Sequence, residues 1–394
     1  MNRSRTLLVV LGLVIAACSS DGETSSESDT TSAPDTEVTA PATDVDEPEP
    51  TTTEAEPPAT DAPEDEPVAT TDDGDGATTG SGENADDADA EGAPTTTPLV
   101  IDGPAEVRTS CASLAKGVND FTLEGGGAVH DVRIYVPENV SADPAPVVLN
   151  WHGLGSSGPE QAAFSGYETL AESEGFIAVH ATGIDDGSGS NSWELVQFDT
   201  PDRDDLAFAD TLIDTVVSDW CGDPSRVYST GMSNGGLFTS ELVCNRSTKI
   251  AAAASIAGTS HAPSCDPERA VPYISFHGTA DPIVPFDGDE PSTLLPPAGV
   301  DALIDDTTPA EFAEFAADNG CDPEPTRVEE TAEVIRYDYT GCDDDVPMAF
   351  YEIVEGGHTW PSSPLSDALA DFGFFTQDID ATADAWAFMS QFSL

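Results

Sequence analysis

From residue 129 onward, short apolar runs alternate along the chain with longer segments of mixed apolar and polar residues. Apolar runs of about four to eight residues are typical of buried strands, and the mixed segments have the length of helices. Strands that alternate with helices predict the α/β class, a mostly parallel sheet with helices on both faces. We predict strands near 129–136, 147–150, 176–180, 226–230, 251–256, 272–277 and 349–354, and helices near 160–174, 205–220, 236–246, 309–318 and 381–392.

The beginning of the chain has the pattern of an export signal. Arg3 and Arg5 precede an apolar stretch, residues 7–15, which is shorter than the roughly 20 residues that a membrane-spanning helix needs. Small residues then lead directly to Cys18, as in a lipoprotein cleavage site. We expect a signal peptide at 1–17 and a lipid on Cys18, which would anchor the exported protein to the extracellular face of a bacterial membrane. The alternative is an ordinary signal peptide in which Cys18 is incidental.

Residues 19–100 are rich in Thr, Asp, Glu, Ala, Pro and Ser and contain no Lys or Arg. Such a segment cannot bury enough apolar surface to fold, and its like charges and prolines extend it. We therefore predict a disordered stalk at 18–100, counted from the lipidated cysteine, and a single α/β domain at 101–394.

Acidic residues also dominate the predicted domain. The chain has a formal net charge of −63, and only 24 of its 75 Asp and Glu residues lie in 19–100. This charge argues against nucleic acid as a partner, because a nucleic-acid-binding surface must be basic. Contact with a membrane is expected only through the N-terminal lipid.

Six cysteines lie in the predicted domain, and an even number in an exported domain predicts three disulfides. Six cysteines allow 15 connectivities. We expect Cys111–Cys221, Cys244–Cys265 and Cys321–Cys342, the last two because of their short separation. With neither a C-x-x-C pair nor a His/Cys cluster in the sequence, no metal site is expected.

The candidate nucleophile is Ser233, in the sequence Gly231-Met232-Ser233-Asn234-Gly235. A strand is predicted before it and a helix after it, which is the context of the nucleophile elbow of α/β-hydrolases. The sharp turn needs small residues on both sides of the serine, and Gly231 and Gly235 satisfy that need.

A candidate acid and a candidate base follow Ser233 in the order that α/β-hydrolases use. Asp281 comes after the apolar run 271–276, and His358 comes after the last predicted strand. A histidine would take the proton of the serine hydroxyl, and a buried carboxylate would orient that histidine. In this fold, the oxyanion is held by backbone N–H groups from a glycine-containing loop and from the residue after the nucleophile, which we assign to Leu154 and Asn234.

These motifs resemble the polyhydroxybutyrate depolymerase-type esterases, a group similar to feruloyl and acetyl-xylan carbohydrate esterases. The resemblance covers about residues 108–394 and rests on 227–236, 277–281 and 356–361, with a further match at 204–208. It implies an exported α/β-hydrolase that cleaves carboxylic esters without a cofactor. Polyester oligomers, hydroxycinnamoyl esters and simple acyl esters all remain open as substrates.

Other residues near the motifs have simpler interpretations. His152 and His277 each end a predicted strand and are expected to make structural hydrogen bonds. Trp360 and Trp193 are candidate walls for an acyl or aromatic group, although ordinary packing is an equally good explanation for any single tryptophan. The sequence therefore predicts a serine esterase. The alternatives are a peptidase on the same fold and a cell-surface binding module without catalysis.

Overall fold

A ten-stranded sheet forms the centre of the structure, a computed structural model that describes residues 111–185, 189–195, 203–288, 307–365 and 371–394. The strands are β1 (Gly117–Gly125), β2 (Ala128–Val136), β3 (Ala145–Trp151), β4 (Ile177–Ala181), β5 (Ile184–Asp185), β6 (Asn191–Ser192), β7 (Gly222–Met232), β8 (Ala252–Ile256), β9 (Tyr273–Gly278), β10 (Thr326–Glu329), β11 (Val334–Tyr339) and β12 (Met348–Ile353). The α-helices are α1 (Gly158–Ser165), α2 (Tyr167–Glu174), α3 (Asp205–Asp219), α4 (Asn234–Asn245), α5 (Thr308–Asp318) and α6 (Ala381–Met389), and Cys111–Ser113 and Asp343–Asp345 form short 3-10 helices.

The strand order of the large sheet is β1-β2-β4-β3-β7-β8-β9-β12-β11-β10, and β5 and β6 pair separately. The six central strands, from β4 to β12 in that order, run parallel. The outer strands β1, β2, β10 and β11 pair antiparallel. Since parallel strands end at one edge, the chain segments that follow β3, β7, β9 and β12 meet there. This architecture confirms the predicted α/β-hydrolase fold.

Apolar side chains cover both faces of the sheet. Along β3, Val147, Leu149 and Trp151 belong to one core cluster, whereas Val148 belongs to the other. Helices α3, α4 and α5 pack on the first face, and helices α2 and α6 pack on the second. Continuous apolar strands are expected when both faces of a sheet are buried. The pattern confirms the predicted helices on both sides.

Two differences from the sequence prediction have clear physical causes. The single helix predicted at 160–174 is divided at Gly166, whose φ of 75° ends α1 in the left-handed conformation. Strands β1, β10 and β11 were not predicted. Most of their residues are partly or fully exposed, so these strands lack a continuous apolar run.

Three disulfides connect cysteines of the described residues: Cys111–Cys221, Cys244–Cys265 and Cys321–Cys342. These are the predicted pairs. Disulfides persist in oxidising compartments, so they indicate an extracellular protein.

The predicted signal peptide, Cys18 and the stalk all lie outside the described residues. Most of the loop at 286–308 lies outside them too. Among the helices that the structure describes, none combines the length and the apolar character that crossing a membrane requires.

Removing the Cys111–Cys221 disulfide with two alanine substitutions should lower the free energy of unfolding more than removing Cys244–Cys265 in the same way. The sequence separations are 110 and 21 residues. By loop-closure entropy, the longer loop is worth roughly 1.5 kcal/mol more. Urea unfolding of the two double variants measures the difference. Equal losses, or a larger loss from the shorter loop, would contradict this expectation.

Candidate active site

Ser233 lies at a sharp turn between a strand and a helix. Strand β7 ends at Met232, helix α4 begins at Asn234, and Ser233 between them has φ 55° and ψ −124°. Its N–H donates to the carbonyl of Ile256 at 2.9 Å, and its carbonyl accepts from the N–H of Leu237 at 2.9 Å. The turn predicted from the sequence is therefore present. Positive φ at a serine is strained and persists only where neighbouring contacts hold it.

The glycines on either side of the turn are required by close backbone contacts. A Cβ on Gly235 would lie 2.2 Å from the carbonyl oxygen of Trp151. A Cβ on Gly231 would lie 2.4 Å from the carbonyl oxygen of Gly235. Both distances are far below contact distance, so only glycine allows β3, β7 and α4 to approach each other this closely.

Asp281 and His358 come together at the carboxyl edge of the sheet. Asp281 follows β9 and His358 follows β12, and Nδ1 of His358 lies 2.8 Å from Oδ2 of Asp281. The other carboxylate oxygen accepts the backbone N–H groups of Ile283 and Val284, at 2.8 and 3.0 Å. The Asp281 side chain is fully buried. With Nδ1 donating to Asp281, Nε2 of His358 is left as the proton acceptor of the ring.

The environment of Asp281 favours its ionised form. Burial alone would raise the pKa of the Asp281 carboxyl. The charge of the neighbouring His358 and the hydrogen bond from its ring outweigh burial and hold that pKa below its ordinary value. Such a carboxylate can fix the tautomer of the imidazole and stabilise it when it is protonated.

The segment 372–374, between β12 and α6, supports the backbone of His358. The N–H of His358 donates to the carbonyl of Phe372 at 2.9 Å, and the N–H of Gly357 donates to that of Phe374 at 2.8 Å. Gly357 allows this contact because a Cβ there would lie 2.1 Å from the Phe372 oxygen. The position of His358 is thus held by its main chain as well as by Asp281.

Two further histidines make the structural hydrogen bonds expected of them. Nε2 of His277 donates to the carbonyl of Val284 at 2.9 Å. Nδ1 of His152 donates to the carbonyl of Gly153 at 2.7 Å, and its Nε2 accepts the N–H of Gly183 at 2.8 Å. Burial lowers the pKa of both rings, that of His152 to about 4. Both are therefore neutral at physiological pH.

The predicted oxyanion-hole segments lie on two sides of Ser233. A Cβ on Gly153, which precedes Leu154, would lie 3.3 Å from Cβ of Ser233. Asn234 is the first residue of α4. Within the described residues, neither the N–H of Leu154 nor that of Asn234 has a hydrogen-bond acceptor. Both groups can therefore donate to a ligand oxygen, and the N-terminus of α4 adds a favourable field for negative charge.

Both tryptophans that were candidate substrate walls are interior side chains. Trp193 is 2% exposed and Trp360 is 1% exposed. The indole N–H of Trp360 donates to Oγ1 of Thr382 at 3.0 Å, and that of Trp193 donates to the carbonyl of His152 at 3.1 Å. As large apolar rings with one satisfied donor, they pack in the core and present no surface to an acyl group. The burial of both side chains favours the packing explanation, which the sequence had left open beside the substrate-wall interpretation.

The side chain of Asn234 is a part of the site that sequence reasoning missed. It exchanges two hydrogen bonds with the backbone of Trp193. Strand β6 and Trp193 therefore lie against the first turn of α4. The one signal in the sequence is the asparagine that follows Ser233. Because asparagine is common in turns for other reasons, it did not predict this contact.

One group of potential metal ligands occurs among the described residues: His261, Cys265 and Asp318, with ligand atoms within 4.8 Å of each other. Cys265 cannot supply a thiolate because its sulfur is bonded to Cys244. Nε2 of His261 lies 2.8 Å from Oδ2 of Asp318, which accounts for the contact between these two side chains.

The comparisons with known proteins point to esterases. The chain is 32% identical over 171 residues to a bifunctional acetylxylan esterase/xylanase of Neocallimastix patriciarum, a match that covers 43% of this chain and 24% of that protein. It is 27% identical over 285 residues to feruloyl esterase D of Neurospora crassa, covering 69% and 84% of the two chains. It is also 27% identical over 240 residues to feruloyl esterase B of Piromyces equi, covering 58% and 42%. The chain thus spans less than half the length of two of these relatives.

No family model matches the chain. Among solved structures, acetyl xylan esterase from Aspergillus awamori has a TM-score of 0.46 and 18% identity, over 65% of this chain and 98% of that one. A thermostable esterase has a TM-score of 0.44 and 16% identity, over 70% and 63%. The three sequence relatives named above all carry an esterase name, one of them together with a xylanase.

The buried histidines predict how stability depends on pH. Burial lowers the pKa of His152 to about 4 and that of His180 to about 3, and it also lowers the pKa values of His130 and His277. The unfolded chain binds these protons at higher pH than the folded protein does. The contribution of these histidines to the free energy of unfolding is therefore fully present above about pH 6.5. It falls as the pH decreases toward 4, by up to about 1.4 kcal/mol per pH unit for each ring.

Urea unfolding at several pH values between about 5 and 6.5, above most carboxyl titrations, measures this slope. His180→Gln removes one of the four rings and should reduce the slope, whatever its effect on absolute stability. If the variant and the wild type had equal slopes, the lowered pKa of His180 in the folded protein would be contradicted.

Proposed function

We propose that the protein is an extracellular serine esterase in which Ser233, His358 and Asp281 act as nucleophile, base and acid. The observation that carries this proposal is the 2.8 Å contact between His358 and Asp281, at the edge of the sheet where Ser233 occupies its strained turn. A buried carboxylate, an oriented imidazole and a partly buried serine at a sharp turn are parts that acyl transfer requires.

The reaction proceeds through an acyl-enzyme. Nε2 of His358 takes the hydroxyl proton of Ser233 while Oγ attacks the ester carbonyl carbon. The carbonyl oxygen becomes an anion, and the N–H groups of Leu154 and Asn234 stabilise it. His358 then returns the proton to the leaving alcohol as the C–O bond breaks. Water, activated by the same histidine, hydrolyses the acyl-enzyme and restores Ser233. No step requires a cofactor.

Three substrate classes fit the proposal: feruloyl or acetyl esters on polysaccharide, short acyl esters, and hydroxyalkanoate oligomers. The names of the relatives favour the first class, and the likeness of residues 227–236 to polyhydroxybutyrate depolymerase-type esterases supports the third. The large negative charge disfavours anionic substrates, because it repels them from the whole surface. Neutral esters are therefore the proposed class.

Replacing the nucleophile tests the proposal directly. Purified with its disulfides intact, the wild type should hydrolyse p-nitrophenyl esters from acetate to octanoate, methyl ferulate, acetylated xylan or 3-hydroxybutyrate oligomers. Ser233→Ala should reduce turnover by about a million-fold, because the acyl-enzyme can no longer form. Ser225→Ala, in the amino-terminal part of β7, should leave turnover unchanged.

The profile over the ester panel identifies the acyl group that the enzyme prefers. If the wild type hydrolysed peptides but not esters, the protein would be a peptidase and the proposed esterase function would be wrong. A folded wild type that neither turns over any ester nor reacts with a fluorophosphonate would overturn the proposal, since an activated serine is labelled by that reagent.

We also propose that Cys18 carries the lipid that holds the enzyme at the cell surface, with residues 19–100 as the spacer. The small residues before Cys18 and the absence of Lys and Arg from the spacer support this arrangement. In cells supplied with radiolabelled palmitate, the wild type should incorporate label and stay with the membrane fraction. Cys18→Ser should lose both properties. Equal labelling of the two proteins would contradict the anchor.

A further inference from the structure

The short segment Asn191–Trp193, called the brace below, lies between the two predicted halves of the oxyanion hole. One half is the loop after β3 that contains Leu154, and the other is the first turn of α4 that begins with Asn234. These halves are 80 residues apart in the chain, and they follow β3 and β7, which are neighbours in the sheet but whose pairing ends at Trp151 and Gly231, before either donor. An oxyanion hole needs both donors at about 2.7–3.1 Å from one oxygen, so their relative position is critical.

The brace is hydrogen-bonded to the loop of Leu154 at three points. The carbonyl of Asn191 accepts the N–H of Gly155 at 2.8 Å, and Nδ2 of Asn191 donates to the carbonyl of Ser156 at 3.0 Å. The indole N–H of Trp193 donates to the carbonyl of His152 at 3.1 Å. The residues on both sides of Leu154 are therefore fixed by the brace.

The same brace is hydrogen-bonded to the residue after the nucleophile. The N–H of Trp193 donates to Oδ1 of Asn234 at 2.6 Å, and Nδ2 of Asn234 donates to the carbonyl of Trp193 at 3.1 Å. The asparagine side chain thus pairs with one backbone residue as a neighbouring strand would. An amide, with one acceptor and one donor side by side, is the group that can make this pair.

The buried ion pair between Arg203 and Asp205 is hydrogen-bonded to the backbone of the brace and of the residue after it. The side chains of Arg203 and Asp205 are 7% and 0% exposed. Arg203 donates to the carbonyl of Ser192, and Asp205 accepts the N–H of Glu194 at 2.7 Å. The indole of Trp193 also stacks on the ring of Phe238 at 5.3 Å. The brace is therefore attached to the core and can act as a rigid reference for both donors.

We propose that the side chain of Asn234 is a positioning residue that, through the Trp193 backbone, holds the two oxyanion donors at a fixed separation. This inference rests on the proposed function. The side chain does not touch the reacting atoms. It acts by fixing the start of α4, and hence its own backbone N–H, relative to the loop that carries the N–H of Leu154.

Asn234→Ala tests the proposal because alanine keeps the backbone N–H and removes only the pairing with Trp193. With p-nitrophenyl acetate, we expect kcat to fall at least about tenfold, and by less than the roughly 100- to 1,000-fold that complete loss of a donor costs. KM should change little, because the ground-state ester makes weaker contacts with the hole than the tetrahedral intermediate does.

Asn319 provides a matched control. It makes the same bidentate pair with the backbone of Val271, with its Oδ1 3.1 Å from the Val271 N–H and its Nδ2 2.8 Å from the Val271 carbonyl. That pair lies before β9, at the sheet edge opposite Ser233. Asn319→Ala should lower the melting temperature but leave kcat at the wild-type value when assayed well below unfolding. A purely structural role for Asn234 predicts the same result for both variants.

A second pair of variants covers the case in which Asn234→Ala does not fold. Trp193→Phe keeps an aromatic ring but removes the donor to His152, and it should lower kcat by a smaller factor than Asn234→Ala. Trp386→Phe removes the contact of a distant indole with Glu174 and should not change kcat. Fluorophosphonate labelling rates should follow kcat in every variant.

The possible results separate this inference from the proposed function. If the wild type is active and Asn234→Ala and Trp193→Phe keep its kcat, the positioning role is wrong and the esterase stands. If the wild type neither hydrolyses esters nor reacts with the fluorophosphonate, the proposed function itself fails. A loss of kcat in Asn319→Ala equal to that in Asn234→Ala would also overturn the positioning role.

Discussion

Close backbone contact around Ser233 is the constraint on which the rest of the site depends. Strands β3, β7 and β8 and helix α4 meet there with no room for side chains. A Cβ on Gly258 would lie 2.2 Å from the carbonyl oxygen of Ser233, as tight as the contacts at Gly231 and Gly235. A residue in a sparsely populated conformation costs of order 1–3 kcal/mol and persists only where its surroundings determine it. Here those surroundings are backbone atoms, which cannot rotate away.

Burial then separates the roles of the ionisable groups near this turn. Asp281 is ionised because its partner and two backbone N–H groups compensate for the loss of water. At His152 and His277, the neighbouring groups that favour the protonated ring do not outweigh burial, so the pKa of each ring is lowered. Both rings are therefore neutral and act as hydrogen-bonding groups. Burial therefore opposes all three charges, and only at Asp281 do the neighbouring groups outweigh it. Nε2 of His277 also lies 3.5 Å from Oδ2 of Asp281, but it donates to the carbonyl of Val284. His358, which donates to that carboxylate at 2.8 Å, is the imidazole suited to move a proton.

The sequence was informative about the fold and the site to different degrees. Buried strands such as β3 and β8 are nearly continuous apolar runs, so they could be predicted. Ser233, Asp281 and His358 come after β7, β9 and β12, which were predicted in the same way. The edge strand β1 alternates between half-buried and exposed residues and has no comparable signal. The hydrogen bonds between Asn234 and Trp193 join an amide to backbone atoms and leave no pattern in the chain. Aromatic residues near a motif were equally uninformative, because packing in the core and lining a surface use the same side chains.

The disulfide between Cys111 and Cys221 has a mechanical consequence. It joins the start of the described chain to the residue that precedes β7, at the end of that strand opposite Ser233. A force applied to the chain before Cys111 follows two paths from that residue, the main chain toward β1 and the disulfide to Cys221. The disulfide path leads to the first residue of β7, Gly222. The 110-residue loop that the bond closes, with the β1–β2 hairpin in it, cannot be drawn out into an extended chain. A pull on the N-terminal segment is thus transmitted to the middle of the sheet as well as to its edge strand β1.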